Sequence, residues 1–207
     1  MSITINGTGS ITGLTAGGLP DGSITSDDIA AGAVTAAKLA AGAGGKILQV
    51  VQDTDNVASS YSVGAQTQTA DVLSVSITPT YSNSRMLIMA HVMAGTTYTY
   101  VAARLMKNGS VMNGPNGDAT DASNRFRAYS QCTLGGTSSS EQVSLDTIYV
   151  ETLSAASTST AITYAVKLIN TDNGAQTLYM NRGADDTDTN VNRSRTSSSL
   201  IVMEIAP

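Results

Sequence analysis

Few residues in this 207-residue chain are equipped for chemistry, and their spacing is unhelpful to it. There is one histidine, His91, and one cysteine, Cys132. A lone cysteine excludes an intrachain disulfide and a cysteine-based zinc centre. A lone histidine excludes any mechanism that needs two. His91 lies inside the apolar run Arg85–Ala94, where an imidazole reads as a satisfied core or interface residue. With His91 the only candidate base and no G-x-S-x-G, a serine triad has no support. Cys132 reads as a small buried hydrophobe. Glycoside hydrolysis needs two acids about 5 to 10 Å apart across a cleft. Asp118 and Asp121 share one loop. Asp146 and Glu151 share one strand, where a separation of five puts them on opposite faces. Asp186, Asp188 and Asn190 alternate as oxygen ligands suited to Ca²⁺, but Val191 and Ser197 stand where an EF-hand loop needs Gly and Glu. The cluster 185–190 therefore reads as a solvated loop. These residues imply no catalytic group, no metal centre and no cofactor.

Surface recognition has better candidates. Tyr98 and Tyr100 alternate and so share one face of a strand; exposed tyrosines stack on sugar rings and offer hydroxyls. Arg125 and Arg127 share a face beside the polar loop Asn113–Asn124, which carries Asn116 and Asp118. These six residues are the candidate receptor contacts. Lys and Arg number 11 against 16 Asp and Glu, a net charge of −5, which argues against a nucleic-acid partner. No run of about 18 apolar residues predicts a membrane span. The opening MSITINGTGS lacks the basic and apolar regions of a secretory signal. Met86, Met89, Met93, Met106, Met112, Met180 and Met203 read as core packing rather than as a sticky surface.

Two kinds of element must carry these residues, and the chain changes character near residue 45. Ten of its 19 glycines precede residue 46, and all nine aromatics follow residue 60. A segment without aromatics cannot bury enough surface to fold alone. Residues 1–45 thus predict an arm that is flexible or ordered by a partner. The arm repeats with a period of ten: GSITSDDIAA (22–31) aligns without a gap to GAVTAAKLAA (32–41). Its aliphatic positions are Ile24, Ile29, Val34 and Leu39. Ser26 is the expected cap of one short helical turn, and Thr35 that of a second over Ala36–Ala41. Helices this short are unstable alone, and the stripe is too narrow for a monomer, so the arm predicts self-association. Gly42–Gly45 reads as a hinge.

Residues 46–207 read as antiparallel β. Strands are expected at Lys46–Gln52, Val72–Thr78, Arg85–Ala94, Tyr98–Lys107, Phe126–Thr133, Gln142–Thr152, Ala161–Asn170, Gln176–Asn181 and Ser198–Ile205. Arg85–Ala94 is nearly all apolar and predicts a central strand buried on both faces. Asn108-Gly109 signals a two-residue type I′ hairpin, and Asp172–Gly174 a second hairpin. A change of register among Val143, Leu145 and Ile148 predicts a bulge near Thr147. Nine or ten strands without a long helix make the fold class all-β, a jelly-roll-like β-sandwich, with a barrel as runner-up.

Three stretches bear a family resemblance. GSITSDDIAAGAVTAAKLAAGAGGKILQVVQ (22–52) is similar to the repeated neck of bacteriophage tail fibres, especially those of cyanophages and other marine phages. Ser76–Thr80 with SNSRMLIM (82–89) is similar to a strand pair of those fibres, and LIVMEIA (200–206) to their closing strand. The stretch Ser110–Ser140 matches nothing in them and lies where fibres vary with host. The resemblance implies a homotrimeric virion protein. Its arm would attach to the tail baseplate or another virion protein. Its β-domain would face a host-surface receptor, commonly a glycan. The chain is short for a host-reaching fibre and lacks a β-helical shaft. That leaves room for a short fibre, a tip module or a head-attached fibre. Two other roles stay open: a capsid decoration protein and, more remotely, a polysaccharide depolymerase.

Overall fold

The computed structural model describes residues 24–35, 38–39, 46–96, 100–117, 126–133, 141–154, 156, 158–186 and 194–207. The chain divides into two units, Met1–Gly44 and Gly45–Pro207.

In the first unit a 3-10 turn spans Ser26–Asp28. Its cap is Thr25, one residue earlier than Ser26. The Asp28 carboxylate reaches back three residues and accepts the Thr25 N–H at 2.8 Å and the Thr25 hydroxyl at 2.7 Å. The backbone bond first, and the hydroxyl second, hold that carboxyl below its ordinary range. In the second repeat Lys38 N–H donates to the Thr35 carbonyl at 2.9 Å. The rest of the expected helix Ala36–Ala41 lies outside the described residues. Ile24, Ile29, Val34 and Leu39 are all exposed.

The described residues of the second unit form eleven strands: β1 (Ile47–Asp55), β2 (Ser59–Val63), β3 (Leu73–Ile77), β4 (Arg85–Thr96), β5 (Tyr100–Lys107), β6 (Ser110–Val111), β7 (Ser130–Thr133), β8 (Val143–Thr152), β9 (Ile162–Ile169), β10 (Gln176–Met180) and β11 (Ser198–Ile205). All pairings are antiparallel, in two sheets. In the six-stranded sheet β4 is the hub. One of its edges carries β8 along residues 85–94. The other carries β11 along residues 85–91 and β10 along 94–96, with β1 and β2 beyond them. The five-stranded sheet is ordered β3-β9-β5, and β7 and β6 share the far edge of β5. Met86, Ile88 and Val92 of β4 belong to the same buried cluster as Leu73, Leu105 and Val166 of the other sheet. Among the described residues no helix is long and apolar enough to cross a membrane.

Three sequence expectations need correction. β4 is buried on one face only: Met86, Ile88, Ala90, Val92 and Ala94 are buried, whereas Leu87, Met89 and Met93 are half-buried and His91 is exposed. β5 is the strand with consecutive burial, from Val101 to Met106. β8 has no bulge at Thr147. It pairs with β4 without a break from Val143 to Thr152, and Ile148 points to the exposed side of a regular strand. Asp172–Gly174 is not a hairpin, because β9 and β10 belong to different sheets. There the chain crosses between layers, and the buried Asn170 amide holds the crossing by donating to the carbonyls of Gly64 and Gly174, each at 2.8 Å. Asn108-Gly109 does form the expected hairpin, with positive φ at both residues (49° and 77°).

One charge is built into the core margin. Glu204 is fully buried and accepts hydrogen bonds from Ser84 Oγ (2.6 Å), Gln49 Nε2 (2.6 Å), Thr80 N (2.7 Å) and Thr80 Oγ1 (2.9 Å). Burial pushes its pKa up, but the donors together outweigh it and hold the group below its ordinary 4.5. Its stabilisation is therefore fully present above pH 4.5 and is lost as pH falls through the lower folded value. Glu204→Gln is expected to cost about 2 kcal/mol at neutral pH and to flatten the acid limb of stability. Urea denaturation from pH 3 to 7 checks both.

Candidate functional site

Of the six candidate receptor residues, three are described, and of these Tyr100 lies apart from Asn116 and Arg127. Tyr98, Asp118 and Arg125 lie outside the described residues. Tyr100 opens β5 and is exposed. Asn116 is not available to a receptor, which corrects its assignment. It is buried, its Oδ1 accepts the Leu105 N–H at 2.8 Å, and its Nδ2 donates to the carbonyls of Leu105 (2.6 Å) and Met112 (2.9 Å). The amide acts as one more rung of the sheet, closing the turn 112–117 on β5. Arg127 braces the same turn, donating to Asn113 Oδ1 at 2.6 Å, while its carbonyl accepts Arg104 Nε at 2.5 Å. Leu105 is five residues from Tyr100, roughly 17 Å along the strand.

Beside Arg104 a cleft of about 330 Å³ is lined by Gln66, Thr67, Gln68, Phe126 and Ile169. The Arg104 guanidinium lies 5.8 Å from the centre of the Phe126 ring. Polar groups here hold the walls together: Gln66 Nε2 donates to Asn173 Oδ1 at 2.8 Å, and Thr67 Oγ1 to the Gly64 carbonyl at 2.9 Å.

The carboxylates are accounted for individually. Asp186 is gripped by Arg195 through Nε at 3.1 Å and Nη2 at 3.0 Å, with Arg182 at 3.4 Å. The Arg195 bonds hold its carboxyl below the ordinary range. Two guanidinium groups occupy the oxygens that a cation would need; Asp188 and Asn190 lie outside the described residues. Glu151 faces inward, bonded to Lys107 Nζ at 2.5 Å and to the hydroxyl of the fully buried Tyr164 at 2.6 Å. That hydroxyl is driven upward in pKa by burial first and by Glu151 second. Asp146 points to the opposite face of β8, so the two acids do not pair. Asp121 lies outside the described residues.

One constellation escaped the sequence reading. Antiparallel pairing sets Asp146 directly opposite His91, with His91 Nδ1 2.6 Å from Asp146 Oδ1. Ser144 Oγ joins them, bonded to Asp146 Oδ2 and 3.3 Å from the same Nδ1. The composition is that of a hydrolytic triad, but the geometry is not. A triad places serine and carboxylate on opposite ring nitrogens, and here both address Nδ1. The cluster is a hydrogen-bonded polar rim.

What it rims is an apolar field. On the outward side of the six-stranded sheet, register aligns Val150, Leu87, Met203 and Val50 in one row, and Ile148, Met89, Ile201 and Gln52 in the next. A flanking row adds Ile205 and Ile47. Ile148 is 75% exposed, Ile47 59% and Val50 52%. Three strand spacings and four residues of rise make this field roughly 14 Å on a side between backbones. Met89, Met93 and Met203 belong to this face. Met86, Met106, Met112 and Met180 are core, so the expectation of core packing holds for four of seven. Cys132 is half-buried against the core cluster.

No protein-family model matches this chain, and no curated protein matches it. The geometry alone must carry the reading. Asn116→Ala removes three buried bonds and is expected to cost about 2 to 3 kcal/mol by chemical denaturation. Arg127→Ala, at a half-exposed position, should cost under about 1 kcal/mol.

Proposed function

We propose that this chain is a structural virion fibre protein of a bacteriophage, assembled as a homotrimer. Residues 1–45 anchor it to a tail baseplate or other virion protein. The all-β unit is a jelly-roll-like sandwich head that meets a host-surface receptor, glycan or protein. The observation that carries the reading is the arm's ten-residue repeat. Its four aliphatic residues, Ile24, Ile29, Val34 and Leu39, are all exposed in a single chain. Equivalent stripes from several chains around one axis would bury one another. The neck resemblance through residues 22–52 supports the same assembly. Receptor contact would rest on avidity: weak contacts add across three heads of a fibre and many fibres of a particle.

Two measurements test this. Light scattering after size exclusion is expected to give a mass close to three times 21.2 kDa. Immunogold labelling of phage particles is expected to mark the tail. Label on the capsid would favour a decoration protein. Particles without label, from a preparation that contains the protein, would overturn a virion role.

A further inference from the structure

We propose that copies of this chain meet through the outer face of the six-stranded sheet, each face turned inward toward the same face of its neighbours around a common axis. The inference deepens the fibre reading, and rests on it for the number of copies.

The two sheets treat their outer faces differently. On the five-stranded sheet, Ala102 and Met106 of β5 are buried as completely as their inward neighbours. The chain covers that side itself. Residues 68–69 bond to β9, and Phe126 lies against Arg104. On the six-stranded sheet Ile148 stays 75% exposed, and Met89 and Ile201 are only half-buried. An apolar field of this extent on a sheet is the usual mark of a partner surface.

Its chemistry narrows the partner. The rows contain no Tyr, Phe or Trp, so they offer no stacking platform for a sugar. Arg85 is the only Lys or Arg on them, which leaves no basic patch for phosphate. The face is a four-column array mainly of aliphatic and thioether groups, with Gln52 and Arg85 at its margins, and its match is another apolar sheet face.

The rim selects a second copy over an unrelated protein. The apolar field ends at His91 and Asp146, one imidazole beside one carboxylate, both about half exposed. Among the described residues His91 Nε2 has no hydrogen-bond partner. In a ring of identical faces, the imidazole of one copy comes level with the Asp146 carboxylate of the next, so the rim is complementary to itself by symmetry. Methionine side chains at Met89 and Met203 adapt to a close fit near an axis.

The test compares the mass of the full chain with that of Ile148→Lys, Val150→Lys and Val57→Lys. Val57 is equally exposed but lies in the β1–β2 connection, off this face. The expected result is a multimer for wild type and Val57→Lys. Ile148→Lys and Val150→Lys should fall to the mass of one chain, or need at least 100-fold more protein to assemble. Far-UV circular dichroism establishes that each variant is folded; Ile148→Ser replaces any variant that is not. A wild-type multimer left intact by Ile148→Lys and Val150→Lys overturns this surface and leaves the fibre reading standing, with the arm as the site of assembly. Wild type at the mass of one chain at all concentrations overturns both.

Discussion

A β-strand has two faces, and β4 is apolar on both. Met86, Ile88, Ala90 and Val92 enter the core, while Leu87, Met89 and Met93 alternate with them on the other side. β4 is also the hub of its sheet, paired with β8 on one edge and with β11 and β10 on the other. Whatever covers its outer side therefore acts on the sheet as a whole. At about 25 cal/mol per Å² of apolar surface removed from water, several hundred Å² amount to several kcal/mol of drive toward association. That drive is of the order of a domain's whole stability. The requirement to cover β4 twice links the packing of one chain to its assembly.

The polar groups of the interior serve this frame. Glu204, at the end of β11, collects donors from Gln49 on β1 and from the segment Thr80–Ser84 that leads into β4. It secures the end at which three strands of the sheet meet. Glu151 reaches from β8 to Lys107 and Tyr164 on the other sheet and ties the two layers by charge-assisted bonds. Asn116 closes a turn on β5. Each acts as a fastener, and each is matched by donors or acceptors of the chain itself. On the outer face of the six-stranded sheet the Ser144–His91–Asp146 cluster is matched in the same way, whereas Ile148 and Val150 beside it stay exposed.

Strict alternation made β3 legible as a strand, because its side chains report burial directly. β2 was missed: SSYSV carries three serines and a single aliphatic residue, and it pairs at the margin of the sheet. Asp172–Gly174 has the turn chemistry of a hairpin, which is the same whether a chain returns within a sheet or crosses to another. Ile148 suggested a bulge because an aliphatic residue reads as pointing inward; it belongs instead to the apolar outer face of the sheet. The Ser144–His91–Asp146 cluster joins residues more than 50 positions apart and depends on the register of β4 against β8, for which the sequence holds no local signal. Asn116 looked like a loop residue because an amide that caps a strand and one that faces solvent have the same sequence context.

The central claim is that the outer face of the six-stranded sheet is covered in solution. Peroxide oxidation of the native protein, followed by peptide mass spectrometry, reads this directly from its methionines. Met86 and Met180 are fully buried within one chain and set the slow reference. Met89 and Met203 are half-buried in the single chain. The account predicts that Met89 and Met203 oxidise as slowly as Met86 in the assembled protein. Oxidation of both many-fold faster than Met86 would show the face open to water and contradict it.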